Sequence, residues 1–134
     1  MKLVNLTGGH SINFFTEKQC SLDERTNKLV LKEGESPYAV LPCIGCVRAL
    51  RSSSIVKVEE LEGHQINFNK VTYGEPSGLP ENLEEGTIYI VSFLALSAIR
   101  AHKGEEYASH FAIIDGMVTD ADGKPCGCIA LSVG

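Results

Sequence analysis

The sequence predicts an α+β fold: a compact, mostly-β single domain over residues 1–134, with one principal helix, about residues 92–103, packed on its sheet. Three observations predict it. Short apolar segments separated by turn signals fill the first half of the chain. One uninterrupted β-branched run, Thr87-Ile88-Tyr89-Ile90-Val91, leads directly into an Ala- and Leu-rich stretch. A chain of 134 residues is long enough to bury roughly two thirds of its unfolded surface in one core, without metal or disulfides.

The elements follow in order. Lys2–Leu6 and Ile12–Phe15 read as strands flanking the Gly8-Gly9 turn. Lys28–Lys32 has polar ends and an apolar middle. Tyr38–Leu41 reads as an edge strand that ends at Pro42. Val47–Leu50 and Ser54–Glu59 follow, and Ile55-Val56-Lys57-Val58-Glu59 alternates as a half-buried strand does. Gln65–Phe68 and Val71–Tyr73 are weaker strands. Residues 74–86 hold two prolines and four acids, which makes them a surface loop. Thr87–Val91 is the strand type buried on both faces. Ser92 stands at an N-cap, Phe93–His102 is the helix, and Gly104 stops it after Arg100, His102 and Lys103. Phe111–Ile114 is a further strand. Met117–Thr119 and Cys128–Leu131 form a hairpin through Asp120–Lys124.

An internal echo crosses this map. Gly9-His10-Ser11-Ile12-Asn13-Phe14 returns as Gly63-His64-Gln65-Ile66-Asn67-Phe68, identical at five of six positions. Duplication and convergent turn chemistry both account for it. Either way, glycine permits a turn and His, Ile and Phe share one strand face.

Charge removes some functions. The net charge is −5 and Lys and Arg are scattered, with Arg48 and Arg51 the nearest cluster. Long nucleic acid calls for a cationic face, so it is not an expected partner. No apolar run reaches the roughly 18 residues of a membrane span, and the N-terminus turns polar too soon for a secretory signal. The expected location is the cytoplasm, where the five cysteines are reduced thiols.

Val4-Asn5-Leu6-Thr7, with His10 three residues on and Ile12-Asn13 beyond, resembles a pattern of small uncharacterised proteins of phages, prophages and bacterial genomes. There it reads Asn-Leu-Thr-Pro-His. Gly78-Leu79-Pro80 and Glu85-Gly86 followed by Thr87–Ser92 are a second matching piece, and Asp122-Gly123 before a final strand is a third. Two positions depart. Gly8-Gly9 replaces the proline and shifts His10 by one residue, and Cys43 and Cys46 stand where those proteins carry a Pro-Ser-Gly-type turn. The resemblance implies a phage-like context, hence host cytoplasm, and a site at the strand ends. It implies no particular activity.

Candidate site residues come from two places. At the helix start, unpaired N–H groups and a partial positive charge suit phosphate or carboxylate, and ligands in open α/β sheets sit at strand carboxyl ends. Ser92 there either caps its own helix or also donates to a ligand. At the glycine turn, Asn5 and Thr7 share a strand face that His10 joins; they either contact a ligand or bond turn backbone. No Gly-rich phosphate loop is present.

Four cysteines form two pairs after prolines, Cys43 with Cys46 and Cys126 with Cys128. Brought together they would make a tetrahedral thiolate zinc site; the other reading is small buried residues. No hydrolase motif appears, and His10, or His110 with Asp115, are the candidate acid–base groups.

The expectation is a non-catalytic binder of a small anionic, nucleotide-derived ligand through Asn5, Thr7, His10 and Ser92. It has no cofactor, self-associates as a homo-oligomer to cover its sheet edges, and in a phage sequesters a host defence signal. The alternatives are a small hydrolase acting on a nucleotide-like substrate, and an interaction module with a zinc site made by the four paired cysteines.

Overall fold

The computed structural model describes residues 1–133. In chain order its strands are β1 (Lys2–Asn5), β2 (Ile12–Phe14), β3 (Cys20–Asp23), β4 (Lys28–Leu31), β5 (Ala39–Leu41), β6 (Arg51–Leu61), β7 (His64–Tyr73) and β8 (Thr87–Ile90). Helices α1 (Phe93–Lys103) and α2 (Glu105–Ala108) follow, then β9 (Phe111–Thr119) and β10 (Pro125–Val133). This is a mostly-β α+β architecture with one main helix, as the sequence predicts.

One sheet runs β1-β8-β9-β10-β2-β5, and β4 joins the far half of β9 and carries β3. β1 and β8 are parallel, in register from Lys2 with Thr87 to Asn5 with Ile90. β9 and β10 form the expected antiparallel hairpin, whose turn is tied by Asp120 accepting from the Asp122 and Lys124 N–H groups. β1 and β2 do not pair with each other; the Gly8-Gly9 turn carries the chain from one flank of the sheet to the other. Beyond β5 the chain returns to β1, where Ile44 N donates to Asn5 O at 3.0 Å and Val47 N to Leu6 O at 3.0 Å. That return nearly closes the sheet on itself.

The core has a helix side and an inner side. Tyr89, Val91 and Phe111 from the sheet pack with Ala95, Leu96 and Ile99 of α1 and with Val4, Leu6 and Val47. Ile90, one residue out of phase with Tyr89 and Val91, packs inward with Ile12, Phe14 and Cys128. The Thr87–Val91 run is therefore buried from two sides, which is why it carries no polar alternation. Burying Leu96 and Ile99 stabilises the helix packing by roughly 1.5–3 kcal/mol each. Among the described residues no helix is long and apolar enough to cross a membrane.

Four sequence expectations change. Val47–Leu50 is not a strand; it meets the 74–86 loop through the isolated Arg48–Ser77 bridge and a bond from Gly74 N to Leu50 O. β3 lacks β-branched residues and forms by pairing with β4. Phe111–Ile114 and Met117–Thr119 are one strand, continuous through Gly116 at φ +62°. Ser54–Glu59 is not half-buried. It belongs to β6, which pairs only with β7 in a separate two-stranded arm, exposed on both faces through most of its length. Alternation sets which residues share a face; it does not supply a body to cover that face.

Candidate functional site

Asn5 lies at the seam where the sheet closes. Its Nδ2 donates to His10 O and to Leu41 O, each at 3.1 Å. Its Oδ1 accepts from Thr7 N at 3.1 Å and from Thr7 Oγ1 at 2.7 Å. The residue is 1 % exposed. Both amide hydrogens and both lone pairs are thus engaged, and no atom remains for a ligand. The expectation that Asn5 contacts a ligand is revised: it joins β1, the glycine turn and the end of β5.

Thr7 is half-buried just beyond Asn5 and opposite Cys46. Its neighbour Gly8 has φ +75°, and a Cβ there would run into the Cys46 side chain, so the turn needs glycine for conformation and for space. Across the seam, Arg48 Nε donates to Cys46 Sγ at 3.2 Å. Arg48 and Ser77 exchange backbone hydrogen bonds of 3.0 and 2.8 Å. Gly78 at φ +81° presses its Cα against the Cys46 carbonyl, where a side chain would collide. The polar loop is thereby fastened over the segment that holds Arg48.

Ser92 caps α1 as its position predicts, with Oγ accepting from Ala95 N at 3.2 Å. Ser92 O receives Leu96 N at 2.9 Å. The Phe93 and Leu94 N–H groups lack an intrahelical partner by geometry. The Ser92 hydroxyl keeps its own proton to donate.

These elements border one cleft of about 500 Å³, within the usual size of a small-molecule site. Arg48, Ser77 and Ser92 supply its donors, Thr7 Oγ1, whose hydrogen is committed to Asn5, an acceptor, Glu75 its carboxylate, and Leu50 and Leu94 part of its apolar wall. Thr7 and Ser92 do meet, as the sequence reading requires. His10 does not join them. It faces a second recess of about 420 Å³ with Asn13, Met117 and Cys126, which Thr7 also borders. Arg48 is the residue that sequence reasoning passes over. Its closeness to Arg51 in the sequence is the only signal, and only sheet closure brings it to the helix start.

The other chemical candidates stand apart. His110 lies with Lys103 and Tyr107 on a different surface. Asp115 accepts from Ser132 Oγ at 2.5 Å and Gly116 N at 2.8 Å, which holds its carboxyl below the ordinary value. Five residues of extended chain, about 16 Å, separate it from His110.

Cys43 and Cys46 sit at the seam, whereas Cys128 is buried in the inner core and Cys126 packs beside Phe15 and Cys20. Among the described residues no three His, Cys, Asp or Glu side chains are grouped to hold a metal ion. As a thiol Cys43 donates to Gly45 O at 3.2 Å. As a thiolate it is held by the Gly45 backbone first, then by Gly8, the Thr7 hydroxyl and Gly9. These outweigh desolvation and lower its pKa. Burial pushes the Cys20, Cys126 and Cys128 thiols up.

The fold and the site define a nearly closed mixed sheet carrying one main helix, with a cleft at the helix start that Arg48 and Glu75 border. Comparison with protein-family models, curated proteins and solved structures gave no match.

Proposed function

We propose that the protein binds a small anionic, nucleotide-derived ligand in the Thr7–Arg48–Ser92 cleft without transforming it. One observation carries this reading: Arg48 and the first turn of an eleven-residue helix border the same cleft. The guanidinium and the Phe93 and Leu94 N–H groups suit a phosphate. Ser92 and Ser77 add hydroxyl donors, and Thr7 Oγ1, which donates to Asn5, adds an acceptor. Glu75 offers an acceptor for ribose hydroxyls, and Leu50 and Leu94 an apolar wall for a base. Among the described residues no histidine borders the cleft, which favours binding over hydrolysis. In the phage setting that the Asn-Leu-Thr resemblance suggests, the ligand is a host nucleotide signal, held out of circulation in host cytoplasm.

Native mass spectrometry of the purified protein, followed by denaturation of any complex, tests this. Incubation with nucleoside mono- and diphosphates produces a mass shift, and denaturation releases the nucleotide intact. Arg48→Gln weakens binding about ten- to hundred-fold, the worth of one charge-assisted bond. Release of a cleaved nucleotide would establish an enzyme instead.

A further inference from the structure

The β6–β7 arm leaves the body as two strands exposed on both faces through most of their length. An isolated two-stranded hairpin is marginal in water. Its tip is well built, with Glu62 at φ 51° and Gly63 at φ 79° making the two-residue turn that hairpins favour. Yet Ile55 (59 % exposed), Val58 (48 %), Leu61 (58 %) and Phe68 (48 %) face solvent. The echo sharpens the contrast: Ile12 and Phe14 are buried, while Ile66 and Phe68, their counterparts, are not.

The two long edges of the arm are not equivalent. Tyr73 O, on the outer edge of β7, already accepts from the ring of His102 at 2.6 Å, so the end of α1 stands against that edge. Among the described residues the outer edge of β6 has no neighbouring strand. Gly74 N donates to Leu50 O, which turns the Arg51 and Ser53 backbone groups outward. A bulge between Ile55 and Lys57 then shifts the phase, so that Val58 and Glu60 also point outward. Through that shift Arg51, Ser53, Val58 and Glu60 share one face of the arm. Charge runs along it, basic at the base with Arg51 and acidic at the tip with Glu59, Glu60 and Glu62. Neither Arg51 nor Glu60 has an ion-pair partner among the described residues.

We propose that the arm is a dimerisation element whose occupant is a second copy of this chain. β6 pairs antiparallel with β6 of that copy about a two-fold axis, making a four-stranded arm. The register that sets Arg51 beside Glu60 of the copy, and Ser53 beside its Val58, matches outward backbone groups and faces together. Antiparallel pairing lays each acidic tip along the other basic base, and like-charge repulsion opposes the parallel arrangement.

Sedimentation equilibrium on the full chain tests this independently of any ligand. A reversible monomer–dimer equilibrium is expected. Arg51→Glu and Glu60→Arg each weaken it about ten-fold, because each reverses two symmetric pairs, and the double exchange restores it. Ser53→Pro removes an outward N–H without breaking a β6–β7 bond, so it abolishes the dimer while leaving the circular dichroism unchanged. A monomer at all concentrations, an assembly larger than a dimer, or a double exchange that fails to restore dimers would overturn the proposal.

Discussion

Replacing Asn5 by alanine tests the reading of the seam. The amide makes four hydrogen bonds at 1 % exposure, and its removal leaves the His10 and Leu41 carbonyls and the Thr7 N–H short of a partner. With a net worth of roughly 1 kcal/mol per bond, and more where a buried group is orphaned, Asn5→Ala costs about 3–5 kcal/mol. In urea the midpoint falls with little change in slope, and the melting temperature drops by about 10 °C or more. Asn5→Asp adds a sign. Two carbonyls face one of its oxygens in a site 1 % exposed; their repulsion and the desolvation outweigh the Thr7 donors at the other oxygen, so its folded pKa is raised, and the neutral acid can donate where the carboxylate cannot. A raised folded pKa means the lost stability is recovered below the unfolded carboxylate range and disappears as pH rises through the folded value. Asn5→Asp is therefore more stable relative to the parent at mildly acidic pH than at neutral pH. If Asn5→Ala lost under about 1 kcal/mol while abolishing nucleotide binding, Asn5 would be a ligand contact and this account of the seam would be wrong.

Other outcomes follow from the same geometry. Gly8→Ala destabilises by upwards of about 1 kcal/mol, because φ +75° and contact with Cys46 both oppose a side chain; equal stability in urea would refute the tight approach. Ile12→Ala costs roughly 2–5 kcal/mol, whereas its echo counterpart Ile66→Ala stays within about 0.5 kcal/mol in the monomer. Cys43 alkylates faster than Cys126 or Cys128 at neutral pH, since its thiolate is favoured and theirs are disfavoured; peptide mapping after brief iodoacetamide treatment reads the order.

The local parts of this fold are legible in the chain. Thr87–Val91, the Ser92 cap and the Gly104 stop are written in consecutive residues, as is the Asp120–Lys124 turn. What depends on distant partners is not. β3 forms only because β4 lies beside it. Ile55–Glu59 carries the alternation of a half-buried strand but is exposed along its whole length. The same holds for the site. Ser92 is found from its position before a helix, and Thr7 from its turn. Arg48 enters through the Thr7–Cys46 pairing, 39 residues apart in sequence. Asn5 looks available because its partners, two backbone carbonyls, leave no mark on the sequence.

An amide-resolved NMR titration with nucleoside mono- and diphosphates tests the central claim most directly. Saturable shifts are expected at Thr7, Arg48, Ser77, Phe93 and Leu94, all lost in Arg48→Gln. Shifts confined to the His10 recess or the arm, or none with any nucleotide, would contradict it.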